Sequence, residues 1–180
     1  QPHSSGEYET RGGVGVRVDV DEVDGEKTID DLVEGLDTRL GCLLSSSYEY
    51  PGRYTRWDLG FIDPPLVFFG SGRDAQIEPL NDRGSLLIGP VAARLQSESC
   101  LEDFGFNHDK INLRVQQSTE RFPEEERSRQ PSLFSILRAL IDFFGSDRDP
   151  HLGFYGAFGY DLALQFEPVN RRLERDPDAR

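Results

Sequence analysis

One stretch of the chain, residues 45–58, concentrates the side-chain types that can hold a small ligand. Its sequence, SSSYEYPGRYTRWD, contains three serine hydroxyls, four aromatic rings, two guanidiniums and two carboxylates, and it follows the apolar Cys42–Leu44. Small residues let a ligand approach the backbone, hydroxyls hold a charged head group, and aromatic faces enclose an apolar body. The alternative is structural: a Ser-rich strand end followed by a Pro-Gly turn, with arginines stacked on neighbouring rings.

The other chemistry-bearing residues form no catalytic or metal-binding pattern. Cys42 and Cys100 have no CxxC spacing, and the histidines (His3, His108 and His151) are scattered without an i+3 or i+4 partner. The sequence contains no nucleophile elbow, no HExxH motif and no paired carboxylates at a useful spacing. It therefore predicts no catalytic residue, no cofactor-binding residue and no metal ligand in this chain.

Three glycines recur at every third position near the end of the chain, Gly153, Gly156 and Gly159. A phosphate-binding loop would need exposed backbone N–H groups that lead into a helix. Here the intervening residues are mostly aromatic, which favours burial. We therefore predict a Gly-rich strand, Leu152–Gly159, packed closely against another backbone.

The hydrophobic periodicity predicts strands with a few helices between them. An apparent Asn-Asp-Arg-Gly turn at residues 81–84 predicts a hairpin. The predicted strands are Val14–Val20, Cys42–Ser46, Leu59–Asp63, Leu66–Gly70, the hairpin arms Ala75–Leu80 and Ser85–Gly89, and Ile111–Val115. The predicted helices begin at Thr28, at Pro131 and at Asp161. This order favours an α+β fold of antiparallel sheets packed with a few helices, after a flexible lead-in over residues 1–12.

Bulk composition narrows the classes of partner. The 180 residues carry a net charge of −13, which argues against nucleic acid as a partner because phosphate binding needs a basic surface. There is no run of about 18 apolar residues to predict a membrane span, and the first residues lack the charged-then-apolar pattern that predicts a signal peptide. We expect a cytoplasmic, reduced protein. The lack of any methionine fits a segment of a longer chain.

Two blocks carry a resemblance to a known family. The run LLSSSYEYPGRYTRWD, followed by Asp63-Pro64-Pro65, resembles the N-terminal region of the fused, single-chain bacterial anthranilate synthases, as do EEERSRQPSLFSILRAL and GFYGAFGYDLALQFEP. The resemblance extends from about Tyr8 to about Asp178. It implies the N-terminal regulatory part of the component I module over residues 13–180, within an α+β fold of two large antiparallel sheets packed face to face.

The resemblance also implies a reaction for the whole enzyme. Anthranilate synthase converts chorismate and glutamine to anthranilate, pyruvate and glutamate, in the pathway to tryptophan. It uses Mg²⁺ and a glutamine amidotransferase domain, and we expect the intact enzyme to be a homo-oligomer. The family places its metal-binding and catalytic residues in the later part of the module, so we expect this chain alone to be inactive.

The same resemblance implies an L-tryptophan feedback site in this part of the family. Its Leu-Leu-Glu-Ser type motif corresponds here to Leu43, Leu44, Ser45 and Ser46, with Ser45 in place of the glutamate. Ser46 and the backbone around Leu44 can accept hydrogen bonds from the ligand ammonium, and Leu43 can form part of the indole slot. If the structural interpretation of the Gly-rich strand fails, Tyr155, Tyr160 and the segment around them are the candidates for a second wall of this site.

Two other functions stay open at this point. One is different chemistry on chorismate, as in a phenazine-pathway aminodeoxyisochorismate synthase or an aminodeoxychorismate synthase. The other is a stand-alone module that senses an amino acid and performs no catalysis. The sequence beyond residue 180 would distinguish them.

Overall fold

The computed structural model describes residues 4–46, 57–118 and 124–166. Its strands are β1 (Gly6–Glu9), β2 (Gly15–Val18), β3 (Gly41–Ser45), β4 (Asp58–Ile62), β5 (Leu66–Ser71), β6 (Asp74–Pro79), β7 (Leu101–Asn107) and β8 (Lys110–Val115). Its α-helices are α1 (Gly25–Leu36), α2 (Asp82–Leu95) and α3 (Leu133–Phe144). Two 3₁₀ helices cover Glu124–Arg129 and Tyr160–Gln165.

The largest unit is a four-stranded antiparallel sheet in the order β5-β6-β8-β7. Along β8, Ile111, Leu113 and Val115 are buried while the residues between them are exposed, the period-2 pattern of a strand with one covered face. Ala75 and Ile77 of β6 lie beside them in register. The sheet therefore buries one face and leaves the other exposed.

Helices α2 and α3 contribute the apolar residues that cover this face. The buried side chains of α2 (Ile88, Val91, Ala92 and Leu95) and of α3 (Leu133, Ile136, Ala139, Leu140 and Phe143) recur at three- and four-residue intervals. They join the buried residues of the sheet in one core cluster. Burial of this shared apolar surface is the main stabilising contribution to the fold.

Two smaller antiparallel pairs, β1–β2 and β3–β4, lie outside this sheet. Helix α1 starts at the N-cap Asp24, whose carboxylate accepts a hydrogen bond from the Lys27 backbone N–H. It packs chiefly on β3 and β4, with Leu32 beside Gly60 and Leu36 beside Gly41. Helix α1 and the β3–β4 hairpin thus form a local unit beside the main core.

The α+β class with antiparallel sheets is confirmed, as are the strands predicted around β2, β3, β4, β5, β6 and β8. The helices predicted at α1 and α3 also form, although α3 begins at Leu133, two residues beyond Pro131. The sequence did not predict β7. Gly6–Glu9, within the expected lead-in, forms β1 and pairs with β2. The division into residues 1–12 and 13–180 stays a prediction.

The predicted hairpin around Asn81 is wrong, because Asp82–Leu95 is a helix. The Asn81 side chain caps this helix by accepting a hydrogen bond from the Gly84 N–H at 3.2 Å. Asparagine at the first position and glycine at the fourth are typical of a β-turn, but asparagine is equally favoured as an N-cap. The apolar spacing after it is helical, and burial against the sheet stabilises the helix.

The predicted Gly-rich strand Leu152–Gly159 is also wrong. These residues form no strand, and a Cβ added to Gly153 or Gly156 would meet no atom within 4 Å. Close backbone packing is therefore not the reason for these two glycines. A short 3₁₀ helix follows, where the sequence predicted a short helix at Asp161.

In the part of the chain that the structure describes, no helix has the length and apolar character needed to span a membrane.

Candidate ligand-binding face of the hairpin

The register of the β3–β4 hairpin divides its side chains between two faces. Cys42 pairs with Phe61 and Leu44 pairs with Leu59, and side chains that lie opposite each other share a face. The Ser46 N–H donates to the Trp57 carbonyl at 2.9 Å, which continues the antiparallel pairing by one residue. Because side chains alternate along a strand, one face carries Cys42, Leu44, Ser46, Trp57, Leu59 and Phe61. We call this set the outer face.

The opposite face of the hairpin is covered by α1. Gly60, which pairs with Leu43, lies against Leu32 of α1, and the Leu43 side chain lies next to the same position. Leu43 therefore packs under α1 and does not reach the outer face. The four residues of the predicted tryptophan motif thus have their side chains on two faces of the hairpin.

Ser45 also lies on the α1 side, where its hydroxyl donates a hydrogen bond to the Asp58 carboxylate. The paired strand thus holds a carboxylate beside Ser45. This end of the hairpin therefore carries an acidic group.

The outer face combines apolar surface with a hydroxyl. Leu44 is 43% exposed and Trp57 is 53% exposed, whereas Ser46 is half-buried between them in the ladder. An apolar surface of this kind with a few convergent polar groups can bind an amphipathic small molecule. Residues 47–56, which hold most of the aromatic and arginine side chains of the predicted ligand-binding stretch, lie outside the described residues.

Tyr155 borders this face at the Phe61 end. The two ring centroids are 5.3 Å apart with an interplanar angle of 54°. The Tyr155 hydroxyl donates to the His151 carbonyl at 2.6 Å, which orients the ring. Tyr155 is thus positioned as a neighbour of the outer face, whereas Tyr160 is 91% exposed.

A separate open cleft, which sequence reasoning missed, lies where the hairpin meets α2. Its volume is about 540 Å³, and it is lined by Leu40, Asp63, Pro64, Leu80, Asn81, Asp82 and Arg83. The Asp63 carboxylate forms a two-point ion pair with Arg39. The Asp63 carbonyl accepts from Arg83 at 2.8 Å and from the Asn81 amide at 3.3 Å.

In this cleft the charge of the Asp63 carboxylate is balanced by the neighbouring guanidiniums of Arg39 and Arg83. The hydrogen bond from Arg39 is the main reason that the pKa of Asp63 is lowered, and the charge of Arg83 acts in the same direction. The same ion pair raises the pKa of Arg39. Because these groups already satisfy each other, the cleft acts as a polar joint between the hairpin and the start of α2. In the sequence, the only signal for this cleft was the polar residues that flank Pro64 and Pro65.

The described residues contain no group of three His, Cys, Asp or Glu side chains placed to hold a metal ion. Cys42 and Cys100 are free thiols, and burial is the main reason that the pKa of Cys100 is raised. A raised thiol pKa leaves less thiolate, which makes Cys100 a poor nucleophile.

Comparison with known proteins identifies the family. No protein-family model and no solved structure matches the chain. Among curated proteins, the chain is 45% identical over 173 residues to a protein named anthranilate synthase from Azospirillum brasilense. The chain belongs to the anthranilate synthase family. The match covers 96% of this chain and 24% of that relative.

Two further anthranilate synthase relatives match a smaller part of this chain and a similar share of their own length. The pyocyanine-specific anthranilate synthase component 1 of Pseudomonas aeruginosa is 31% identical over 128 residues, 71% of this chain and 23% of the relative. Anthranilate synthase component 1 of Vibrio parahaemolyticus is 27% identical over 129 residues, again 71% and 23%. The chain therefore spans about a quarter of the length of the curated relatives it matches.

Proposed function

We propose that this chain is the regulatory part of an anthranilate synthase and contributes to a feedback site for L-tryptophan. The whole protein would convert chorismate and glutamine to anthranilate, pyruvate and glutamate for tryptophan biosynthesis. The observation that carries this proposal is the 45% identity, over nearly the whole chain, to a protein of that name. The fused single-chain form is part of the same proposal.

The outer face supports a tryptophan site by its chemistry. A zwitterionic amino acid needs hydrogen-bond acceptors for its ammonium, donors for its carboxylate and an apolar surface for its indole. The Ser46 hydroxyl can accept or donate, and Leu44 with the exposed Trp57 ring supplies apolar surface next to it. Leu43 would act by supporting Leu44 from the covered side of β3, and Ser45 by holding Asp58.

The residues described here do not fit the Mg²⁺ that the reaction requires. Mg²⁺ needs oxygen ligands that converge, and no three acidic side chains converge among the described residues. We therefore propose that other parts of the whole protein hold the metal and carry the chemistry. On this proposal the 180-residue chain alone forms no anthranilate from chorismate, Mg²⁺ and ammonia.

Substitution of Ser46 in the full-length enzyme tests the feedback site. Ser46→Phe places bulk on the outer face, and we expect the tryptophan inhibition constant to rise at least about tenfold with little change in uninhibited turnover. Ser46→Ala removes only the hydroxyl, worth about 1 kcal/mol, and should raise the constant roughly fivefold.

Ser45→Phe is the matched variant on the other face of the same strand and should weaken inhibition less than Ser46→Phe. An inhibition constant within twofold of wild type for Ser46→Phe would mean that Ser46 is only a residue of the strand end.

The alternative function is different chemistry on chorismate; the pyocyanine-specific relative is itself named an anthranilate synthase component 1 and does not favour this alternative. Product analysis separates the two. An anthranilate synthase releases pyruvate with anthranilate, whereas an aminodeoxychorismate or aminodeoxyisochorismate synthase leaves the enolpyruvyl group on its product. Absence of any product from the full-length protein would favour a sensing module.

A further inference from the structure

Residues 152–166 run from the hairpin to the main core and touch both. At one end Tyr155 packs on Phe61 of β4, with the rings 5.3 Å apart. Further along, Phe158 lies 5.3 Å from the ring of Phe134 in α3, and Leu162 packs against the buried core. We call these residues the strap.

The strap ends in a buried polar contact made by Gln165, which is 8% exposed. Its side-chain oxygen accepts from the Leu133 N–H at 3.0 Å, at the first turn of α3. Its side-chain nitrogen donates to the Gly72 carbonyl at 2.7 Å, in the turn between β5 and β6. One side chain thus joins the strap to a helix and to a sheet turn.

Arg73, in the same turn as Gly72, completes this contact. Its guanidinium donates to the Gln165 carbonyl at 3.1 Å, the Pro131 carbonyl at 3.0 Å and the Gln116 carbonyl at 2.9 Å. Partial burial of the guanidinium is the main reason that the pKa of Arg73 is lowered. The Arg73 guanidinium therefore binds backbone carbonyls from three separate segments of the chain.

The hairpin is attached to the rest of the fold at more than one place. Helix α1 packs chiefly on β3 and β4. Two of the contacts that link the hairpin to the main core are the polar joint between Asp63 and the start of α2, and the contact of the strap through Tyr155 with Phe61.

We infer that the strap is a conformational coupling element between the outer face of the hairpin and the main core, and that Arg73 and Gln165 position it. The hydrogen bonds of Gln165 fix the position of the strap at the core. The contact between Phe158 and Phe134 then restricts the position of the strap residues nearer to Tyr155. Loosening the strap at Gln165 should therefore loosen the hairpin, although the two are far apart in sequence.

Amide hydrogen exchange on the full-length protein tests this coupling, because exchange measures local opening residue by residue. Gln165→Leu keeps the volume and removes both side-chain hydrogen bonds. We expect amides of Gly41–Ser45 and Asp58–Ile62 to exchange at least tenfold faster, with a smaller change in β6 and β8. The matched control is Thr10→Val, which removes a buried hydroxyl that accepts from the Val14 N–H at 3.1 Å and should leave hairpin exchange within twofold.

A second pair of variants avoids the buried contact altogether. Tyr155→Leu removes the ring next to Phe61 and should speed hairpin exchange, whereas Tyr155→Phe keeps the ring and should have a smaller effect. Equal acceleration in the hairpin and the sheet for Gln165→Leu would mean a general loss of stability and would overturn the coupling. Unchanged hairpin exchange in Tyr155→Leu would also overturn the coupling. This second test holds even if Gln165→Leu does not fold.

Discussion

Gly84 of α2 lies directly against the carbonyl group of Pro65, with no room for a side chain between them. A Cβ on Gly84 would clash with that carbonyl and lie 3.0 Å from the Cα of Pro79. The neighbouring Leu80 N–H donates to the same Pro65 carbonyl at 2.9 Å. The first turn of α2 is therefore seated on the strand ends of β5 and β6, next to the joint that holds the hairpin.

Gly84→Ala should destabilise the protein, since the clash is with backbone that cannot rotate away. We expect a loss of about 1–3 kcal/mol in the free energy of unfolding, measured by denaturant titration. Gly35→Ala in α1 is the control: its Cβ would make only ordinary contact with the Ile62 side chain, at 3.7 Å or more, so it should stabilise by about 0.5–1 kcal/mol through helix propensity. Equal effects for the two variants would contradict the close seating of α2.

Ile136→Ala should create a cavity in the core that α3 shares with the sheet. Ile136 is fully buried, and truncation of such a side chain costs about 2–5 kcal/mol. Ile141 of the same helix is 54% exposed, so Ile141→Ala should change stability by less than about 1 kcal/mol. Thermal or denaturant unfolding of the two variants side by side checks the orientation of α3, and similar losses would mean that this orientation is wrong.

Asp63 should make stability depend on pH in the acid range. Its folded-state pKa is lowered, mainly by the hydrogen bond from Arg39, so its contribution is present above the unfolded-state pKa. That contribution is lost as the pH falls from the ordinary value of 3.8 through the lower folded-state pKa. We expect Asp63→Asn to be less stable than wild type at pH 6, with the difference disappearing at low pH. The pair is exposed, so added salt should reduce the difference. A difference that is constant with pH would exclude the ion pair as its cause.

Gly156→Val should be nearly neutral for folding, in contrast to what the sequence predicted. A Cβ at this position meets no atom within 4 Å, so a larger side chain extends into open space. We expect a change within about 0.5 kcal/mol in the unfolding free energy, as for other surface positions. A loss of several times that size would restore the close-packed interpretation of the Gly-rich segment.

The sequence by itself determined the strands and helices in which apolar residues recur at a regular interval. Ile111, Leu113 and Val115 alternate, and the apolar residues of α3 recur at helical spacing, so both elements were predictable from local pattern. Strand β7 has no such pattern and forms because it pairs with β8. The start of α2 favoured a turn locally, and packing of its apolar residues against the sheet decided for a helix.

The candidate site shows the same division. The motif Leu43, Leu44, Ser45 and Ser46 could be identified from the sequence, together with the family it indicates. Only the tertiary structure decided that Leu44 and Ser46 lie on the outer face, while Leu43 and Ser45 lie on the side that α1 covers. The physical reason is that strand side chains alternate, so adjacent residues become separated once one face is buried. The seating of Tyr155 on Phe61 and the contact of Gln165 with Gly72 join residues more than ninety positions apart, and no local pattern encodes them.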